Sequence, residues 1–198
     1  MKFIRQLDYP NLTYVTMTEL SEKERLAGKS TTIANSGCGL CAAVMVVDKL
    51  LPNANFNIED AIALSYKAKA NIKSGTQYPI FAPFFAKEFN FKLETTCDAK
   101  RLLYCLKTGG AVVARISGDQ NGYVGLFSHG YHYVFVNNVE EDGRICILDP
   151  SIKDGKYLED GRKGKVEVKN DVFALCSLDD LVKDTAFSNP SFYLFWRA

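Results

Sequence analysis

The stretch "NSGCGLCAAVMVVDKLL", residues 35–51, places Cys38 and Cys41 three apart, where a glycine-broken segment runs into an apolar helix. That spacing admits three chemistries: a redox dithiol, half of a zinc site, or one nucleophilic thiol beside a packed neighbour. A structural zinc needs a second ligand pair at close spacing. Cys97, Cys105, Cys146 and Cys176 are scattered singly. His129 and His132 are also three apart, but a strand would put them on opposite faces. A thioredoxin-like dithiol fits "CGLC", because a helix N-terminus lowers the pKa of its first thiol. It also needs a hydrophobic strand running into the first cysteine, and "AGKSTTIANSG" (27–37) is polar and loop-like.

The third reading uses more of the chain. Cys38 stands between Gly37 and Gly39, which let the backbone turn and leave room at the sulfur. The helix dipole stabilises a thiolate there, and Cys41, one turn on, points to the core. A thiolate nucleophile needs a base, and the base needs an orienting partner. Both histidines of the chain lie in "FSHGYHYVFV", where His132 opens a strand, and Asp149 ends the next strand in "ILDPS". With "EDGR" as a hairpin turn centred on Asp-Gly, His132 and Asp149 meet at the open end on adjacent strands. A one-residue slip reverses their facing. Each residue alone has a plainer role: a rim histidine, a turn aspartate, a buried small cysteine. Together they form the sequence nucleophile, base, orienter.

These residues need elements to hold them. Helices are expected over about 38–51, from Asn57 to about 70 behind a capping-box-like Asn57/Asp60 pair, over about 80–89, and from an Asp98 cap to Gly109. The pattern then turns β-branched and aromatic, with strands at "AVVARIS", "HYVFVNNVE", "RICILDP" and "SFYLFWR". Helices first and an antiparallel sheet second read as α+β. One domain over 1–198 is expected, with a helical lobe at about 30–110 and a sheet lobe at about 111–198. Residues 1–30 read as irregular. Loops 52–57, 71–80, 118–130 and 152–168 are the surface where substrate selection would lie. Cys105, Cys146 and Cys176 read as small core residues.

Composition excludes more than it assigns. Lys+Arg number 24 and Asp+Glu 23, with no block of like charge, which argues against nucleic acid or an anionic membrane as partner. No stretch approaches the ~20 apolar residues of a spanning helix. "MKFIRQLDYPNLTYVTM" breaks at Asp8 and Pro10 before a signal core forms. A cytoplasmic location is the expectation, with no metal and no cofactor.

"TIANSGCGLCAAVMVVDKL" (32–50) and "GLFSHGYHYVFVNNVEEDGRICILDPS" (125–151) resemble the two catalytic blocks of bacterial papain-like cysteine peptidases, in the branch related to bacteriocin leader peptidases. "LKTGGAVVARI" (106–116) is similar to that family's intervening strand. The resemblance implies a papain-like α+β fold, a helical lobe packed on an antiparallel sheet. It implies Cys38 as nucleophile, His132 as general base and acid, and Asp149 as the residue orienting His132. His129 would line the site, and the substrate would be a peptide or protein cleaved through a thioester acyl-enzyme. Two departures stand out. Leu40-Cys41 replaces the family's usual pair, which keeps a thiol–disulfide oxidoreductase open, as is a catalytically weak peptide-binding relative. Thr32 occupies the place of a glutamine that donates to the oxyanion, leaving the Cys38 N–H with Thr32, Asn35 or Ser36 as donors. Losing one such donor typically costs ~10²–10³ in rate.

Overall fold

The structure, a computed structural model, describes residues 2–16, 31–71 and 75–198. Residues 17–30 of the irregular N-terminal segment and residues 72–74 of the 71–80 loop lie outside the described residues.

A single helical turn, α1 (Ile33–Ser36), runs through Gly37 into α2 (Cys38–Leu50). Residues 33–36 of the segment before Cys38, read as loop-like, are therefore helical. Leu40 through Val47 are apolar all round, and every one is at most 1% exposed, as expected of a helix without a polar face. The capping box is present in α3 (Ile58–Lys67): the Asn57 side chain accepts from the Asp60 N–H, and the Asp60 carboxylate accepts from the Asn57 N–H, both at 3.0 Å. Next come α4 (Tyr78–Glu88), β1 (Phe91–Thr96) and α5 (Ala99–Lys107). Asp98 opens α5 by accepting from the Lys100 N–H at 2.8 Å. Gly109, at φ +77°, ends the α5 segment.

The remaining strands are β2 (Ala111–Ile116), β3 (His132–Val139), β4 (Ile145–Leu148), β5 (Glu167–Lys169), β6 (Phe173–Cys176) and β7 (Phe192–Arg197), with α6 (Leu178–Thr185) between the last two. Among the described residues, the seven strands form one antiparallel sheet, in the order β1-β7-β2-β3-β4-β6-β5. The fold is α+β, but it departs from the expected helical half on a sheet half. β1 comes from the helical half and pairs with β7 at one edge. Its "FKLETT" is a short stretch between a helix end and the Asp98 cap, too brief to stand out.

Helices also cover both faces. α2, α3 and α4 bury Val113, Tyr133, Phe135 and Phe195 on one side. On the other, Leu102 and Cys105 of α5 and Leu181 of α6 pack with Val112, Ala114, Val134 and Val136. Cys105, Cys146 and Cys176 are buried free thiols, and burial is the main cause that pushes them up, to about 12, 11 and 12. Among the described residues no helix is long and apolar enough to cross a membrane.

Candidate active site

Cys38 begins α2, so its own N–H and those of Gly39 and Leu40 lie in the first turn, where the helix supplies no carbonyl partner. Gly37 is what allows α1 to run so closely into this turn. Its φ of −92° is ordinary, so the glycine is needed for space and not for an unusual turn. A Cβ there would sit 2.7 Å from both the Ile33 carbonyl oxygen and Cγ2. Gly39 is tight as well: its added Cβ would meet Tyr78 Cε2 at 3.1 Å and Thr76 Cβ at 3.2 Å. Tyr78 donates to the Gly39 carbonyl at 3.2 Å and stacks on Tyr133 with ring centroids 4.5 Å apart. A tyrosine wedge thereby fixes the start of α2 against β3.

His132 is the first residue of β3, paired with Ile116 of β2 at the sheet rim. Whether Asp149 can reach it is decided by one residue. The hairpin turns at Glu140–Gly143, with the Gly143 N–H donating to the Glu140 carbonyl at 2.9 Å and Gly143 at φ +84°. The pairs Val139↔Ile145 and Asn138↔Cys146 follow, and then the register shifts so that Val136 faces Ile147 and Phe135 faces Leu148. Asn137 is the extra residue of a bulge. Without it the ladder would run on to set Asp149 against Phe135, on the face away from His132. With it, one further step sets Asp149 across from Val134, on His132's own face.

His132 Nε2 lies 2.7 Å from Asp149 Oδ1, while the imidazolium and the Cys38 thiolate favour each other's charge. His132 is 5% exposed and Asp149 fully buried, while Cys38 is half-buried. Asp149 collects five donors. Oδ1 accepts from His132, from the Ser151 N–H at 2.9 Å and from the Ser151 hydroxyl at 3.0 Å. Oδ2 accepts from the Tyr157 hydroxyl at 2.6 Å and from the Lys156 ammonium. Lys156 Nζ also donates to Ser151 Oγ at 2.6 Å.

The charges follow from these contacts. Burial works to raise the Cys38 thiol, but the His132 imidazolium and its hydrogen bond outweigh it, helped by the N–H groups of Tyr133 and Gly39, and hold the thiol below its ordinary value. Burial works to lower His132; the charges of Cys38 and Asp149 and their hydrogen bonds win, raising it to about 9. Burial would also raise Asp149, yet Lys156 and His132 hold it well below the usual carboxylate range. Cys41 is fully buried, and burial, then the Cys38 charge, push its thiol well up.

A pH dependence of stability follows. An unfolded aspartate titrates near ~3.9, and Asp149's folded value is lower, so its contribution is complete above about pH 5 and lost as pH falls below about 4. Guanidinium midpoints at pH 6, 4.5 and 3 are expected to drop most over the last interval, with a flatter drop in Asp149→Asn. Taken alone, the raised His132 would lose stability as pH rises from ~6.5 toward about 9. The lowered Cys38 gains stability over the range below its ordinary thiol value. The two oppose, since the proton only moves from sulfur to imidazole, so the pair adds little slope between about pH 6.5 and 8.5.

The other expected residues are placed unevenly. Thr32 sits at the cap position of α1, half-buried, its carbonyl accepting from the Asn35 and Ser36 N–H groups. Asn35 is exposed and Ser36 buried, both within a turn of Cys38. His129 is not gathered to the thiol. Its Nδ1 is 3.0 Å from Asp119 and its Nε2 3.0 Å from Glu159, in an exposed cluster between two loops. Of the flanking tyrosines, Tyr133 is core and Tyr131 is 67% exposed, over the Arg115 guanidinium.

Sequence reasoning missed Ser151, Lys156, Tyr157 and Gln6. Gln6 ties the two halves of the site together: its N–H donates to the Pro150 carbonyl at 2.8 Å and its side-chain amide to the Ala34 carbonyl at 2.6 Å. Ser151, directly after Asp149-Pro150, is the one a turn argument offers, since Asp side chains accept from the N–H two residues on. Nothing local singles out Gln6 or Lys156.

No protein-family model matches the sequence, and no curated protein matches it either.

Proposed function

We propose that the chain is a thiol hydrolase of the papain-like class, with the corresponding fold, cleaving a peptide or related amide bond. The observation that carries this reading is the half-buried Cys38 at a helix start, its thiolate favoured by an imidazolium whose Nε2 is 2.7 Å from a buried carboxylate. The Cys38 thiolate attacks the carbonyl carbon. The oxyanion that forms faces the first-turn N–H groups of α2, where donors and dipole favour negative charge. His132 gives its proton to the leaving amine as the C–N bond breaks, which leaves a thioester on Cys38. His132 then takes a proton from water, the hydroxide displaces the sulfur, and the thiolate–imidazolium pair returns. Asp149 holds the ring in place throughout.

The competing dithiol reading makes opposite demands. It requires Cys41, which is fully buried with its thiol pushed well up, and has no use for His132 or Asp149. A peptidyl acyloxymethyl ketone series, followed by intact-mass and peptide mapping, separates them. Labelling is expected at Cys38, retained in Cys41→Ser and absent in Cys38→Ala. A Cys38–Cys41 disulfide under mild oxidant, with labelling indifferent to His132→Ala, would sink the hydrolase reading.

A further inference from the structure

Lysine is rarely buried unless paired, and the 152–168 loop shows the contrast. Lys153, Lys163 and Lys165 are exposed, whereas Lys156 is 5% exposed. The backbone turns it inward: Gly155 takes φ +74°, and a 3₁₀ turn over Lys156–Leu158 sends Lys156 and Tyr157 inside while Leu158 stays 71% exposed. The ammonium then meets Asp149 Oδ2, the oxygen that His132 does not use. The loop could be anchored here by an apolar side chain; the ammonium instead pairs a carboxylate that is buried because it holds His132, which ties Lys156 to the site.

We propose that Lys156 is a positioning residue of this site: it offsets the charge of Asp149 and thereby sets how tightly His132 holds its proton. The proposal rests on Cys38 and His132 acting as nucleophile and base. Along the buried line Cys38, His132, Asp149, Lys156 the charges alternate and sum to zero. The other groups near it are the neutral Tyr157 hydroxyl on Asp149, and Arg162 and Lys153 beside Lys156, with Arg162 itself paired to Glu159 at 3.0 Å. An imidazolium facing an unpaired buried carboxylate would keep its proton too firmly to release it to a leaving amine. Lys156 weakens that grip by sharing the carboxylate.

The test reads His132 directly. With only two histidines in the chain, the imidazole NMR signals are assigned with His129→Gln. In Lys156→Met, Asp149 keeps Ser151, Tyr157 and the imidazolium as donors and stays ionised. The His132 titration is therefore expected to move up by about one pH unit, and Lys156→Arg to restore it. On an amide substrate, kcat falls while KM holds. An unmoved His132 titration in a folded Lys156→Met, with only the melting temperature lowered, would overturn the proposal. If that variant does not fold, the reciprocal measurement decides. The Lys156 ammonium, followed by ¹⁵N NMR, should titrate higher in His132→Ala than in the native chain, and equal titrations overturn the proposal. Cys38 alkylation that ignores His132 would instead remove the hydrolase reading and leave the Lys156–His132 coupling measurable by itself.

Discussion

In His132→Ala, alkylation of Cys38 by iodoacetamide at pH 6 is expected to slow by at least about tenfold. A free thiol near ~8.5 is only about 0.3% thiolate at that pH. The native Cys38 is held below its ordinary value mainly by the imidazolium and its hydrogen bond, against burial. Without His132, burial is opposed only by the N–H groups of Tyr133 and Gly39 and the helix N-terminus, so the thiol rises and the thiolate fraction collapses. The gain in thiolate is partly offset by the weaker nucleophilicity of a low-pKa sulfur, which is why the expected factor is smaller than the ratio of fractions. Cys97, an exposed thiol on the same chain, reports reagent access, and Cys41 is too buried to compete. Amide hydrolysis is expected to fall further, by about 10⁴-fold or more, because the leaving amine also loses its proton donor. Equal alkylation rates in the two proteins would mean that the imidazole does not activate the sulfur.

The residues of this site were legible to different depths, for physical reasons. Cys38, His132 and Asp149 stood out because the candidate nucleophile, base and orienting carboxylate each sat at the end of a strongly patterned element: an all-apolar helix and two β-branched strands. Caps at Asn57/Asp60 and Asp98 were readable because local side-chain-to-backbone bonds need only a few residues. The facing of Asp149 was not, since the Asn137 bulge depends on pairing across the sheet and leaves no trace in an Asn-Asn pair. Lys156 was invisible for a related reason. A lysine among lysines in a charged loop carries no periodicity, and only the left-handed Gly155 and the buried carboxylate turn it inward. His129 and His132, three apart, diverge because one lies on the loop and the other begins the strand. Helices on both faces of the sheet escaped the reading as well, because α5 is amphipathic whichever face it covers.

Asp149→Ala is expected to cost about 3–5 kcal/mol of stability, the scale for removing one partner of a buried ion pair. It should appear as a lowered guanidinium midpoint with an unchanged slope. The loss comes less from the bonds removed than from what stays behind. The Lys156 ammonium, the Tyr157 hydroxyl and the Ser151 N–H all lose a carboxylate acceptor, and Lys156 and Tyr157 are about 95% buried. Adding Lys156→Met should therefore recover at least about 1 kcal/mol, since an apolar side chain in that space is no worse than an unpaired charge. Reactivity should not recover with it. In the double variant His132 still lacks the carboxylate that holds its ring and its charge, so Cys38 alkylation at pH 6 stays slow. Independent, additive costs for the two substitutions would contradict the pairing. Recovery of both stability and reactivity would mean that Asp149 serves only to neutralise Lys156. Stability restored while the thiol stays slow is the outcome that assigns Asp149 two separate tasks, one to the loop behind it and one to the imidazole in front.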